Sequence, residues 1–151
     1  MKEQSQGVAS GKGWLLVLPA IAVAAILGFG LWGRTGKVRL LFADRYNKAL
    51  VTETREAPLF GGMEERAGEV LSQLLLGPME PYNQPLVQGD ARLGSVMHRG
   101  GKLFVDLEIA DLAVQKLPFS LLRRAIEESL GYSVPGAGKV ELSVNGHQIG
   151  S

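Results

Sequence analysis

The stretch Glu64–Pro78, EERAGEVLSQLLLGP, contains the clearest helix of the chain and determines how its neighbours must pack. We predict a helix over Glu64–Leu76, because apolar residues recur at spacings of three and four and so share one helix face. Glutamates lie near its start, where the helix dipole favours negative charge, and Gly77-Pro78 ends it. A helix with one apolar face must bury that face, so it should lie on a sheet. The apolar stripe consists of Met63, Ala67, Val70, Leu71, Leu74 and Leu75.

Strand patterns flank this helix on both sides. Before it, Lys37–Ala43 and Leu50–Ala57 predict two strands joined by a turn at Asp44–Lys48. After it, a second helix opens at Leu117-Pro118 with an apolar row and ends at Gly131. That row consists of Phe119, Leu122, Ile126 and Leu130, and the remaining predicted strands are Arg92–His98, Lys102–Leu107, Lys139–Asn145 and a short final His147–Ile149. The order β-β-α-β-β-α-β predicts an α+β fold, a sheet with two helices packed on one face.

An uninterrupted apolar stretch precedes this domain. Trp14–Gly33, WLLVLPAIAVAAILGFGLWG, has no charged side chain and would span about 30 Å as a helix, the hydrocarbon thickness of a bilayer. Tryptophans stand near both ends, where indole rings favour the lipid–water boundary. The alternative is a cleaved signal peptide with a small-x-small site such as Ala20-Ile21-Ala22, but that apolar core would be unusually long. We therefore predict a tail (1–13), a transmembrane helix (14–33) and a folded domain (34–151).

The charges that flank this predicted anchor give only a weak indication of its orientation in the membrane. Lys2 and Lys12 precede it, and Arg34, Lys37 and Arg39 follow it, so local charge favours neither orientation strongly. Long domains translocate largely regardless of charge. We predict a single-pass protein of the cell membrane with a cytoplasmic N-terminus and an extracytoplasmic C-terminal domain.

Five ordered segments resemble the GerMN domain family. They are VRLLFADRYNKALVTETREAPLF (38–60), LLLGP (74–78), GKLFVDLE (101–108), AIEESLG (125–131) and KVELSVNG (139–146). The turn Asp44–Lys48 departs from the Asp-Gly-rich turn that is common in the family. The resemblance implies an extracytoplasmic, membrane-tethered, non-enzymatic module that takes part in protein–protein contacts.

The composition argues against a nucleic-acid partner and against catalytic or metal-binding sites. Sixteen basic residues balance fifteen acidic ones, which does not favour a nucleic-acid partner. The chain has no cysteine and only two histidines, and it lacks the common catalytic motifs, so we expect no enzyme activity, no cofactor and no metal site. The glycine pattern Gly28–Gly33 matches a dinucleotide fingerprint by chance, since it falls inside the predicted span rather than between a strand and a helix.

The first hypothesis is a scaffold or binding module of a cell-envelope assembly, with other envelope proteins or further copies of itself as partners. We expect its contacts at Thr52, Glu53 and Arg55 of the second strand and at Arg123 and Glu127 of the second helix. The charged second strand is typical of an edge protected against aggregation, and strand addition by a partner is the alternative.

The second hypothesis is a domain that binds a small envelope ligand such as a cell-wall fragment. Its ligand contacts would be Asp106 and Arg99, between the hairpin Arg99–Asp106 and the loop Pro78–Gly89. Asp106 alternates with apolar residues, which also fits a residue on the exposed face or a cap for the following turn.

Overall fold

A computed structural model describes residues 35–149 of the chain. The fold is α+β, and both helices begin and end within a few residues of the predicted positions. Its strands are β1 (Thr35–Ala43), β2 (Leu50–Pro58), β3 (Ala91–Arg99), β4 (Lys102–Ile109), β5 (Lys139–Val144) and β6 (His147–Gln148), and its helices are α1 (Met63–Leu75) and α2 (Phe119–Ser133). A short 3-10 turn, Leu112–Val114, precedes α2.

The strands form two sheets, so the expectation of a single sheet was wrong. β1 and β2 pair antiparallel by themselves, and the second sheet has the order β3-β4-β5-β6. β4 and β5 run parallel, with α2 as their crossover, whereas the other pairs are antiparallel. The two sheets are separate because the edge of β1 that does not pair with β2 is covered by α2 instead of by a further strand.

Two buried serines of α2 bond to the backbone of β1. The Ser129 hydroxyl accepts a hydrogen bond from the backbone N–H of Leu41 at 2.9 Å. The Ser133 hydroxyl accepts one from the N–H of Arg39 at 2.9 Å and donates to the carbonyl oxygen of Arg39 at 3.1 Å. Buried backbone groups must find such partners, and the serine hydroxyls replace a neighbouring strand here.

The hydrophobic core lies between the two sheets and the helices. Both helices contact both sheets, so they do not lie on one face of one sheet as predicted. The inner face of the second sheet carries the alternating residues expected from the sequence, which are Leu103, Val105, Leu107, Val140, Leu142 and Val144, all buried. Phe119, expected in the buried row of α2, is instead exposed at the start of that helix.

The turn between β1 and β2 is tight despite its departure from the Asp-Gly pattern. The carboxylate of Asp44 accepts hydrogen bonds from the backbone N–H groups of Lys48 and Ala49 at 2.7 and 3.1 Å. Asn47 adopts the left-handed conformation, with φ of 55°, that glycine usually supplies. These backbone hydrogen bonds, led by that of Lys48, lower the pKa of Asp44 below its ordinary value of 3.8.

Within residues 35–149 no helix is long and apolar enough to cross a membrane. The predicted span Trp14–Gly33 and its chance glycine pattern lie outside the described residues.

Candidate interaction surface

The candidate residues on β2 do not all lie at the surface. Thr52 is exposed, but the side chains of Glu53 and Arg55 are each only 8% exposed and form an ion pair of 2.8 Å. The expectation that these two are surface positions was therefore wrong. Residues at alternate positions of a strand share one face, so Glu53 and Arg55 lie with Ala57 on the buried face of β2.

The Glu53 carboxylate organises the loop that follows α1. It accepts hydrogen bonds from the backbone N–H groups of Met79 and Glu80 at 3.0 and 3.3 Å. The side-chain amide of Asn83 donates a third at 2.8 Å. With Arg55 these donors occupy both carboxylate oxygens, so one buried charge fixes six residues of loop, 78–83, against β2.

Arg55 completes the same network. Its guanidinium donates to the carbonyl oxygen of Gly77 at 2.7 Å and more weakly to that of Gln73 at 3.4 Å. Gln73 belongs to the last turn of α1 and Gly77 follows its end, a position where a cation is favourable. The guanidinium also lies over the ring of Phe42, 5.0 Å from its centroid. Arg55 therefore joins the end of α1 to the two-stranded sheet.

Opposing effects act on the pKa of Glu53. Burial by itself would raise this pKa. The hydrogen bonds from Arg55, Met79, Asn83 and Glu80 favour the charged form and outweigh burial, so the pKa lies below its ordinary value of 4.5. The carboxylate thus stays ionised at neutral pH inside the protein.

The candidate residues on α2 form a surface ion pair. The Nε of Arg123 contacts the Oε1 of Glu127 at 2.8 Å, with both side chains partly exposed. Arg124 and Glu128 form the equivalent pair one residue further on, at 2.6 Å. Pairs spaced by four on a helix are common and contribute a few tenths of a kcal/mol, so this geometry by itself gives α2 no special role.

A larger open surface lies on the second sheet, on the side away from the core. We call it the outer face, and it consists of Arg92, Ser95, Met97, Arg99, Lys102, Phe104, Asp106, Glu108, Lys139, Glu141, Ser143 and Gln148. Met97 and Phe104 lie opposite each other on β3 and β4 and are 52% and 42% exposed. Large apolar side chains in this position are more typical of a contact surface than of a face that meets only water.

A β-bulge at Gly94 assembles this face. Arg92 and Met97 are five positions apart and would lie on opposite sides of a regular strand. The pairing of β3 with β4 shifts by one residue between Leu93 and Ser95, which brings both residues to the same side. A Cβ atom at Gly94 would lie only 3.1 to 3.2 Å from side-chain atoms of Asp106 and Glu108, which leaves little room for a larger residue.

Charge is divided between the two ends of the outer face. At one end Arg99, Lys102 and Lys139 outnumber Glu141, which contacts the two lysines at 3.3 and 3.2 Å. Hydrogen bonds from Lys139 and Lys102 lower the pKa of Glu141 below 4.5. At the other end Asp106 and Glu108 outnumber Arg92, which pairs with Glu108. The face therefore runs from net positive to net negative, with Met97 and Phe104 between.

The structure separates the two predicted ligand contacts. Arg99 lies opposite Lys102, and Asp106 follows four residues further along β4, about 13 Å away. The Asp106 carboxylate accepts a hydrogen bond from the backbone N–H of Gly146 at 3.0 Å, so it caps the turn between β5 and β6. Asp106 thus lies on the exposed face, which is one of the alternatives left open for it, but the turn that it caps is not the one that follows its own strand.

An open cavity of about 580 Å³ lies at the acidic end of the second sheet. Its lining includes Arg92 and Glu108 of the outer face and the side chain of Asn145. Asn145 accepts from the N–H of Ile109 at 2.9 Å and donates to its carbonyl oxygen at 3.0 Å, which fixes this wall. Neither Asp106 nor Arg99 lines the cavity, and no sequence motif had indicated it.

The histidines are not grouped with other metal-binding residues. Glu64 of α1 accepts a hydrogen bond from the backbone N–H of His98 at 2.6 Å, and His147 is exposed in β6. Among residues 35–149, no three histidine, aspartate or glutamate side chains are arranged to hold a metal ion.

Solved structures resemble this fold. The first GerMN domain of the sporulation protein GerM from Bacillus subtilis matches with a TM-score of 0.59 and 21% identity, over 76% of this chain and 86% of that one. The tandem GerMN domains of the same protein match with a TM-score of 0.55 and 16% identity, again over 76% of this chain. This chain spans 41% of that tandem structure. The described domain thus has the GerMN fold, as the sequence resemblance predicted.

No protein-family model matches the sequence, and none of the curated proteins is significantly similar to it. The likeness to GerMN domains therefore concerns the fold.

Proposed function

We propose that this chain is a non-enzymatic, membrane-anchored binding or scaffold module that takes part in a cell-envelope protein assembly. The apolar stretch Trp14–Gly33 would hold it in the membrane, with the GerMN-like domain outside the cytoplasm. The similar domain structures belong to a protein described as a sporulation protein, and they support a kindred type of module without specifying its process.

The observation that carries the proposal is the outer face of the second sheet. It presents methionine and phenylalanine side chains at the centre of an open sheet face, with charged residues around them. Protein interfaces commonly combine an apolar centre, enriched in aromatic residues and methionine, with a polar rim. An open face of this kind suits a macromolecular partner better than a small molecule, which needs a concave site.

The proposal is tested by crosslinking the full-length protein in its native membrane and identifying what it captures. We expect envelope proteins, with further copies of this chain counted among them, to be captured by the wild type and lost with the double variant Met97→Ser, Phe104→Ser. Phe60→Ser serves as the matched control, because Phe60 is an exposed phenylalanine outside this face. Equal capture by all three proteins would contradict the role of the outer face.

Topology needs a separate measurement. Protease added to intact cells should degrade the C-terminal domain while the membrane-spanning fragment survives. A domain that is protected until the cells are lysed would contradict the extracytoplasmic location.

A second candidate function is binding of a small envelope ligand, which the cavity near Asn145 favours. Soluble cell-wall fragments should then raise the melting temperature of the full-length protein saturably. Arg92→Ala should abolish this shift, whereas Arg124→Ala, on the surface of α2, should not. The absence of any saturable shift would reject this candidate.

A further inference from the structure

The outer face is complementary to itself. Its apolar pair, Met97 and Phe104, lies between an end where cations predominate and an end where carboxylates predominate. A surface whose two ends carry opposite net charge can bind a copy of itself if the copy is reversed end to end. A two-fold axis achieves this, since it places the same patch on both sides of the contact.

We propose that the outer face binds a second copy of this chain, sheet against sheet, about a two-fold axis that lies in the plane of the contact and runs perpendicular to the strands. Phe104 and Met97 then pack against the same residues of the second copy near the axis. Lys102 lies over Asp106 of the second copy, and Arg99 approaches the same acidic end from the neighbouring strand β3. The reverse contacts form at the other end. The opposite arrangement, with strands parallel, would bring like charges together.

The size of the face determines how strong this contact is. Strands spaced by about 4.8 Å and rising about 3.4 Å per residue give roughly 400 Å² of sheet area per copy. Stable interfaces bury about 800 Å² per partner, so the pair is weak in free solution. Confinement to a membrane raises the effective concentration of copies and compensates for weak contacts. In this respect the inference rests on the proposed membrane anchor.

The absence of cysteine from the whole chain allows a direct test. Single variants Phe104→Cys and Met97→Cys of the full-length protein are oxidised in whole cells with a membrane-permeant oxidant, and dimers are separated without reductant. Tyr46→Cys is the control, because Tyr46 is 70% exposed but lies on the turn between β1 and β2. We expect several-fold more disulfide dimer from the first two variants than from the control. Equal or absent dimer would overturn the proposal.

Charge reversal distinguishes the two-fold arrangement from random collision. In the Phe104→Cys background, Arg99→Glu should reduce the dimer several-fold, and so should Glu108→Arg. Mixing the two charge variants, carried on differently tagged copies, should restore a mixed dimer, since each reversed charge then meets its opposite. If the mixture crosslinks no better than each variant alone, the end-to-end arrangement is wrong.

Fractionation after oxidation separates this inference from the proposed function. A chain found in the membrane fraction without disulfide dimers would overturn the two-fold contact and leave the anchor standing. A chain found in the soluble fraction would overturn the anchor, while its dimer content would still decide the contact. A crosslink from Phe104→Cys to a protein of different mass in place of a dimer would reject a second copy as the occupant.

Discussion

The two sheets use charged residues in opposite ways. On β2, Glu53 and Arg55 are buried and the carboxylate meets all of its partners within the chain. On the outer face of the second sheet, charges such as Arg99, Lys102 and Asp106 lie at the rim of exposed apolar side chains. Charged residues on a strand therefore stabilise the interior in one sheet and surround an open surface in the other. The burial of their side chains distinguishes the two cases.

The largest effect should come from breaking the internal pair. Glu53→Ala leaves the buried guanidinium of Arg55 without its counter-ion and frees three donors of loop 78–83, so we expect a loss of about 3–5 kcal/mol in the free energy of unfolding. Urea denaturation of the full-length protein in mild detergent, followed by circular dichroism, measures it. The control Glu56→Ala changes an exposed residue of the same strand. Equal stability of the two variants would mean that Glu53 is not supporting the loop.

A smaller effect is expected at the edge of β1. Ser129→Ala removes the hydroxyl that accepts from the N–H of Leu41 and leaves that buried group unsatisfied, at a cost of about 1–3 kcal/mol. Ser143→Ala, on the outer face, should change stability by less than about 0.5 kcal/mol. The same denaturation experiment compares them. A neutral Ser129→Ala would show that the α2 hydroxyl is not needed to close this edge.

The stabilising contribution of the buried Glu53 on β2 should also depend on pH. The pKa of Glu53 is lower in the folded chain than in the unfolded chain, so its contribution to stability is complete above the unfolded pKa of about 4.5. That contribution is lost as pH falls through the lower, folded pKa, because folding must then compete with protonation. Melting temperatures from pH 7 to pH 3 should fall less for Glu53→Gln than for the wild type. Parallel curves would contradict the assignment of this acid sensitivity to Glu53.

The smallest effect belongs to the surface of α2. Arg124→Ala removes an exposed ion pair with Glu128 and should lower the melting temperature only slightly, and less at high salt, because solvent and ions screen this pair. Melting temperatures at low and high salt would show it. If Arg124→Ala destabilised the protein as much as Glu53→Ala, burial would not explain which charged residues matter for stability.

Periodicity was sufficient to predict the helices and the inner face of the second sheet. Val70, Leu71 and Leu74 recur at helical spacing, and Val140, Leu142 and Val144 alternate, so each set selects one face. All six residues are buried. These features depend on local spacing, which a sequence displays directly.

The internal ion pair was harder to predict, because its burial depends on a loop more than twenty residues away. One local signal existed: Glu53 and Arg55 share a strand face with Val51 and Ala57, which is typical of a buried pair. Likewise Ser129 lies beside the apolar row of α2, but nothing in the sequence shows that its hydroxyl meets β1. The bulge at Gly94 was also missed, although a glycine inside a strand and a shift in the alternation of the residues around it are local signals of a bulge.

The serine bonds between α2 and β1 have a consequence for synthesis. β1 is made early, yet Ser129 and Ser133 follow their backbone partners by 88 and 94 residues. At translation rates of about 5–20 residues per second, β1 is synthesised roughly 4–20 seconds before the serines of α2 that bond to its edge. An uncovered strand edge can pair with other chains during that time. During synthesis, the hairpin of β1 and β2 must therefore be kept from pairing with other chains until α2 has been made.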